Sequence, residues 1–552
     1  MLDGYYIKKI GQNKGAPRVW LEGSQTAKAG FAPGQRFDIH VEGQTIVLQA
    51  NQDGSRVVSS KKSGESLNPV IDINSRELLA IFDGMSSIRV AVKEGQIYLV
   101  PLASELKKQE RYKRLKNKLE TGESIALGSL SHGGGILDHA IHSGLKAAGI
   151  ESKLAFANEI REELLEHAAI HNDAWSDTTK AFAAPMQELA FDERGLANIP
   201  RTEVLIMGLP CSGASKAGMA KRGLVHPEAH PEVGHLVVSA LVILSKTNPA
   251  IVVLENVPPY ANSASADILR NQLKDMGYNT HERILNGKEW GTLENRDRWV
   301  MVAVTHGIDF DFSQLIAPDV KVMRLGDVLE DVDPNDPRWS KMQGLKDKQV
   351  RDLAEGKNFK MQVFDADSEH IGTLTKGYAK VRSTDPKIQH PDDPDLLRQL
   401  TAAEHARIKQ VPEHLIEGLS NTIAHEVLGQ SVVYSPFKDL GQEVGNTLNV
   451  FSGKSTRRES VPVDLPDEVL TISKEVVTIL KMANENAGNY SGAIVAVEKG
   501  YFIQDIGKSV GIAHKSDNLD KQLTLGRSAV VNYSEGKGVV KEKVKEQLAL
   551  EI

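Results

Sequence analysis

The sequence predicts a doubly wound α/β sheet of the Rossmann-like kind, with small, mostly β domains at both ends of the chain. Three observations carry that expectation. Between about residues 123 and 306, short apolar runs alternate with amphipathic segments. The glycine- and proline-containing turns in that region fall at the ends of the apolar runs. Before and after the region, strand-like alternation and turns replace the helical spacing.

The runs at 124–127 (SIAL), 153–157 (KLAFA), 204–207 (VLIM), 251–254 (IVVL) and 299–304 (WVMVAV) read as strands. Such nearly continuous Val/Ile/Leu runs suit strands covered on both faces. Residues 160–171 and 235–246 read as the helices between them. From 310 to 395 a Pro-, Asp- and Lys-rich stretch loses the period, and helical segments return between 398 and 440. The α/β domain is therefore expected over 123–309 and 396–450, interrupted by a region at 310–395.

With 552 residues the chain exceeds one core, so about three or four domains are expected. Hydrophobic residues at 40% and charged residues at 25% are ordinary for globular chains. No uninterrupted apolar run reaches the roughly eighteen residues of a membrane span. The opening MLDGYYIKKIGQNKG lacks the apolar core of a signal peptide. A soluble cytoplasmic protein is the expectation. The single cysteine, Cys211, excludes intrachain disulfides and cysteine-rich zinc sites, and no metal is expected. A lone cysteine is more often a small buried hydrophobe than a nucleophile, so its context must decide. The net charge of −7 argues against whole-chain adhesion to nucleic acid but leaves local patches open. The basic run at 107–118 (KKQERYKRLKNK), within a helical linker at 105–122, is either a solvated face or a DNA-backbone contact.

Residues 1–104 contain two copies of one unit, at 17–50 and 69–102, roughly 51 or 52 residues apart. Each has a short apolar strand, a small helix and a hairpin, turning at Glu42-Gly43-Gln44 or Glu94-Gly95-Gln96. Pairing the copies would bury faces that neither buries alone. The unit resembles the swapped-hairpin domain of AbrB-like transcription factors, where two chains supply the halves. That resemblance implies a DNA-contacting module, with a structural or protein-binding role as the alternative. Residues 451–486 read as a helical connector. The β-rich segment at 487–545 resembles the KfrB-type domain of plasmid-encoded proteins, through Tyr490-Ser491-Gly492, Gln504-Asp505-Ile506-Gly507, His514 and 530–538.

Four signatures end strands of the α/β region, where open parallel sheets bind ligands. Leu130-Ser131-His132-Gly133-Gly134-Gly135 opens a helix, and its glycines let backbone approach a ligand. Glu159 ends the next strand, where an acid can hold ribose hydroxyls or sit at a helix start. Gly208-Leu209-Pro210-Cys211 follows the third strand, and Glu255-Asn256-Val257 ends the fourth. Arg296 and Arg298 precede the last strand and are expected to project to one side.

In this order, over about 123–435, the signatures resemble the DNA (cytosine-5)-methyltransferase family. Leu285-Asn286, Trp290-Gly291, the Thr373-Leu374 pair, and Arg398-Gln399-Leu400-Thr401 continuing to Glu404 and Arg407 extend the likeness. The resemblance implies a methyltransferase sheet in which residues 310–395 form a small target-recognition region. It implies S-adenosyl-L-methionine as cofactor, held by Leu130, Ser131, His132, Gly133, Gly134, Gly135, Glu159, Ile160, Asp177, Pro210, Leu236, Gln430 and Ser431. Catalysis is implied for Cys211, Glu255, Arg296 and Arg298, and DNA contact for Ser212, Ser215, Thr373 and Leu374. Cys211 would attack carbon 6 of a flipped cytosine so that carbon 5 accepts a methyl group. The implied partner is double-stranded DNA, with a cognate restriction endonuclease or plasmid protein as a further partner and a monomer as the oligomeric state. Four positions depart from the family pattern: His132 for glycine, an expected source of crowding at the cofactor's methionine end, Gln430 for Asn, Glu294 for Gln, and Ser212 for Gln. The alternatives are a catalytically weak DNA-binding regulator and an RNA cytosine-5 methyltransferase.

Overall fold

The computed structural model describes residues 3–210, 213–214, 219, 222–318, 323–357, 359–455, 479–485, 488–498, 500–506, 510–534 and 536–542. The chain divides into two compact units, Met1–Thr456 and Arg457–Ile552.

At the start of the first unit, the two repeated halves complete each other. Strand Ala16–Glu22 pairs with Ser66–Ile73, its counterpart in the second copy, in the register Val19↔Ile73 and Leu21↔Ile71. Hairpin strand Thr45–Ala50 pairs likewise with Gln96–Pro101. Val19, Leu21, Phe37, Ile46 and Leu48 share one core with Ile71, Ile73, Ile88, Val90 and Leu99. Neither copy has enough apolar side chains on one face to build that core alone. Gly43 and Gly95 take positive φ at the two hairpin turns, which no branched residue would tolerate.

Helix Ala103–Thr121 carries the basic run, and several of its cations turn inward to the protein. Arg111 is fully buried: it donates to Thr305 Oγ1 at 2.7 Å, Asn248 Oδ1 at 3.3 Å, and the Met276 and Gly277 carbonyls at 2.7 and 3.0 Å. Lys107 donates to the Ser245 carbonyl at 2.7 Å, and Lys118 reaches Glu203 at 2.8 Å. Carbonyls and a buried acid on the α/β domain take up these cations, so the helix is an anchor. Only Lys113 and Lys116 keep exposed basic heads on its middle turns.

The predicted α/β sheet has seven strands, ordered Lys180–Ala183, Ser152–Glu159, Ile125–Leu130, Val204–Met207, Ile251–Asn256, Asp297–Thr305 and Tyr278–Asn286. The first five are parallel, and Asp297–Thr305 runs against both neighbours. Val204 and Ile206 face one core, while Leu205 and Met207 face the other. Burial on both faces is why these strands read as unbroken apolar runs. The chain returns to the sheet through helix Tyr434–Phe451, packed on helix Ile136–Ala147. A Cβ on Gly144 would lie 1.9 Å from the Lys438 carbonyl oxygen, so the crossing requires glycine there.

Residues 310–395 contribute helix Gln343–Ala354 and short strands Val363–Phe364 and Lys387–Gln389, the latter pairing with Leu397–Arg398. Their core of Leu325, Val328, Ile371, Leu374, Tyr378 and Ile388 is completed by Leu293, Leu400 and Ile408 from the flanking α/β segments. The Arg398 to Arg407 pattern is explained by packing. Buried Glu404 accepts two bonds of 2.7 Å from Arg398 and caps its own helix by accepting from the Thr401 amide at 2.8 Å.

In the second unit, a six-stranded sheet runs from Ile479–Met482 to Lys537–Glu542. His514 is buried there, stacked on Tyr533 and 3.1 Å from Gln504 Oε1. The connector expected to be helical over 451–486 lies largely outside the described residues. Its end departs from that expectation, because Ile479–Met482 is a strand, paired parallel to Val510–Lys515. Apolar Ile479 and Leu480 suit a strand as well as a helix, and the sheet edge selects the extended form.

Candidate active site

Register brings four strand ends to one level. Leu130 is the parallel partner of both Asn158 and Met207, and Met207 of Leu254, so Ser131, Glu159, Gly208 and Glu255 follow at the same edge. Cross-links knit the ends together: Gly208 N donates to the Leu130 carbonyl at 3.2 Å and His132 N to the Asn158 carbonyl at 2.9 Å.

Ser131, Gly133 and Gly135 all adopt positive φ, at 57°, 57° and 74°. Gly133 N donates to Glu159 Oε2 at 2.8 Å, while Glu159 Oε1 accepts from the amides of Ile160 and Arg161 at 3.0 and 3.3 Å. A Cβ on Gly133 would meet nothing within 4 Å, so the loop is open on that side. Exposed Ile160 stands beside it, and Glu426 of helix Asn421–Gln430 reaches Arg161 at 3.2 Å. Val427 of the same helix abuts Gly134. Gln430 is exposed one turn further on, and Ser431 is half-buried, its hydroxyl turned back to the Leu428 carbonyl at 2.8 Å.

The side chain of His132 is held in the core. Its imidazole is buried, with Nδ1 2.9 Å from Asp138 Oδ2 and 3.1 Å from Ser129 Oγ, and Nε2 accepts from Trp175 Nε1 at 3.3 Å. An indole N–H on Nε2 requires the proton on Nδ1, where Asp138 accepts it. The ring is thus fastened into the core, away from the open side of the loop. Asp177 lies exposed in the turn after Trp175, and Leu130 is buried, so only its backbone is available to a ligand.

At the next strand end, Asn256 Nδ2 donates to the Leu209 carbonyl at 3.1 Å, tethering the turn that leads to Pro210. The Glu-Asn-Val signature gives Asn256 no role of its own, because its positioning bond depends on a contact 47 residues away in sequence, which no local pattern reports. Pro210 and Leu236 line one small cavity with Leu209, Val237 and Tyr260. Cys211, Ser212 and Ser215 lie outside the described residues.

Glu255 Oε1 is 2.6 Å from Arg298 Nε. Burial pushes the carboxyl above its usual range, opposed by the positive charges of Arg298, Arg296 and Lys409. Arg296 is buried as well, donating to the Gly429 carbonyl at 3.0 Å and the Leu374 carbonyl at 3.4 Å, beside Glu294 at 3.4 Å. Leu374, expected at DNA, is fully buried in the core, whereas Thr373 is exposed and donates to the Asn295 carbonyl at 3.0 Å. An apolar side chain that completes a core has no face left for a ligand. Sequence reading also gave no role to Lys409, which lies 2.8 Å from Glu294 with both groups fully buried.

The profile of C-5 cytosine-specific DNA methylases matches residues 133–446, more than half of the chain. The chain belongs to the C-5 cytosine-specific DNA methylase family. Members of that family use S-adenosylmethionine as methyl donor. A second profile, that of the KfrB domain, matches residues 489–542 of this methylase. It is 26% identical over 268 residues to the type II methyltransferase M.NlaX of Neisseria lactamica, covering 47% of this chain and 81% of that protein. It is 28% identical over 261 residues to M1.ScrFI of Lactococcus lactis subsp. cremoris, covering 46% of this chain and 64% of that one. Among solved structures, the S. pombe Dnmt2 methyltransferase aligns with a TM-score of 0.45 at 18% identity, over 59% of this methylase and 98% of that chain. No helix among the described residues is long and apolar enough to cross a membrane.

Proposed function

We propose that this methylase transfers a methyl group to carbon 5 of cytosine in double-stranded DNA through a covalent adduct with Cys211, on a base rotated out of the helix. The observation that carries the reading is the buried Glu255 carboxyl, held above its usual range at the end of a strand and paired with Arg298 at 2.6 Å. A desolvated carboxyl pushed above its usual range, with one guanidinium beside it, is suited to share a proton with ring N3 of an extruded cytosine.

The Cys211 thiolate forms a bond to carbon 6 while N3 takes the Glu255 proton, leaving carbon 5 as the enamine carbon. S-adenosylmethionine, when bound, supplies an electrophilic methyl group. Loss of the carbon-5 proton to solvent then expels the thiolate, and N3 returns its proton to Glu255. Arg298 orients Glu255 and offers its remaining donors to the base oxygen. Arg296 keeps the neighbouring segments together.

The cofactor fits the open loop. Backbone at Ser131 and Gly133, with the Glu159 carboxylate and exposed Ile160, would hold it, with Asp177, Leu236, Gln430 and Ser431 at the margin. His132 leaves that space clear. Thr373 would meet the DNA, with Ser212 and Ser215 following the nucleophile. The KfrB match favours a plasmid or other mobile element as the gene's home, which gene neighbourhood tests.

Bisulfite sequencing of host DNA with and without the gene tests the reading. A new methylated motif that disappears in Cys211→Ala is expected. Unchanged DNA would overturn the activity, and methylation surviving Cys211→Ala would overturn the adduct.

A further inference from the structure

A short buried network joins three parts of the molecule that are far apart in sequence. Glu294 precedes strand Asp297–Thr305, and its Oε1 accepts from the Leu374 amide at 2.8 Å. Around it, Ile371 N donates to the Leu293 carbonyl at 2.8 Å and Asn295 N to the Ile371 carbonyl at 3.3 Å. The target-recognition segment is therefore laid alongside the lead-in to the catalytic strand. From the other side comes Lys409, at the end of helix Ala402–Ile408, with Nζ 2.8 Å from Glu294 Oε2 and 3.4 Å from the Ser431 carbonyl.

Charge makes this arrangement sensitive. Three cations, Lys409, Arg296 and Arg298, share the interior with two carboxyls, Glu294 and Glu255. Burial and Arg296 push the Lys409 ammonium down to about 7, and Glu294 is the group that holds its charge. Glu294 stays below the usual range because Lys409, first, and Arg296 outweigh its burial. A buried ion pair often adds little stability over apolar residues of the same shape, yet removing one member is costly, so such pairs can serve to fix register. Glu294 is one of the departures from the family pattern, and Lys409 is its buried partner here.

Resting on the reading of this site as a DNA methylase centre, we propose that Lys409 and Glu294 are positioning residues, forming a latch that registers the target-recognition segment against the Glu255–Arg298 site. Neither touches the reacting atoms. Their effect passes through Leu374 and Thr373 to the DNA, and through Arg296 to the end of helix Asn421–Gln430.

The test compares full-length wild type with Lys409→Met, Glu294→Gln and the double variant Glu294→Gln/Lys409→Gln. Lys409→Met leaves Glu294 only Arg296 as a cation, Glu294→Gln removes the acid that keeps the Lys409 ammonium charged, and the double variant offers a neutral amide pair. Hydrogen exchange followed by mass spectrometry needs no turnover: peptides spanning 371–378 should exchange at least tenfold faster in Lys409→Met, those spanning 204–209 should not change, and the double variant should recover. With unmethylated phage DNA and labelled S-adenosylmethionine, KM for DNA should rise about tenfold or more in Lys409→Met, while cofactor affinity stays within twofold. Unchanged exchange at 371–378, or a double variant no better than the summed single losses, would overturn the latch. An inactive wild type whose exchange pattern still follows the pair would sink the methylase reading and leave the latch as a structural device.

Discussion

Neighbouring strands of the central sheet each carry a buried glutamate, at opposite ends. Glu203, at the amino end, accepts from the Ala126 amide at 2.8 Å, from Lys118 at 2.8 Å and from Arg114. Glu255, at the carboxyl end, has Arg298 at 2.6 Å and is held above the usual carboxylate range by burial. A carboxylate whose lone pairs are filled by its own protein is part of the scaffold. One that is desolvated with fewer donors has capacity left for a proton or a ligand. On the proposed function, the sheet uses the same residue type for anchoring at one end and for chemistry at the other.

The contrast can be broken from either side. Glu255→Gln should lower methyl transfer by about 10²–10⁴-fold, with thermal stability unchanged or slightly raised, measured by labelled-methyl incorporation and calorimetry on one preparation. A large loss of stability instead would make Glu255 structural. Glu203→Ala should do the reverse: it leaves Arg114 and Lys118 without their acid and removes about 3 kcal/mol or more from the first thermal transition, while kcat at low temperature stays within a few-fold. Acid should erode the interior as a whole. His139, His425 and His514 are each pushed down to about 4 by burial, so the unfolded chain takes up protons before the folded one as pH falls from 6.5. Stability is full above about 6.5 and should decline through that window, by up to about 3 kcal/mol per histidine; a melting temperature flat between pH 7 and 4.5 would contradict this. The smallest effect concerns the amino-end helix: Lys113→Ala and Lys116→Ala should each leave the salt dependence of DNA binding unaltered. A drop in slope of about one would restore the helix to the DNA interface.

Much of the fold was legible because parallel strands covered on both faces write themselves as unbroken apolar runs. Ile125–Leu130, Val204–Met207 and Ile251–Asn256 are of that kind. Lys180–Ala183 and Tyr278–Asn286 were missed, since each lies at a sheet edge and carries exposed polar residues. The family signatures located Glu159 and Glu255 because strand ends are local features. What escaped was long-range: that Arg111 is swallowed by the domain it precedes, that Arg296 donates to the Gly429 and Leu374 carbonyls, and that Leu374 is buried. None of these is encoded within a few residues of the position concerned. The basic run at 107–118 was the most misleading, because charge count does not reveal how many carbonyls wait for each cation.

The first hundred residues have a consequence for assembly. Because the two hairpin copies dock within a single chain, closing that module is a first-order step, and its yield should not vary with protein concentration as it would for halves on separate molecules. Each position is also encoded on its own, so a substitution alters one side of the pseudo-twofold surface and not both, leaving the two sides free to diverge.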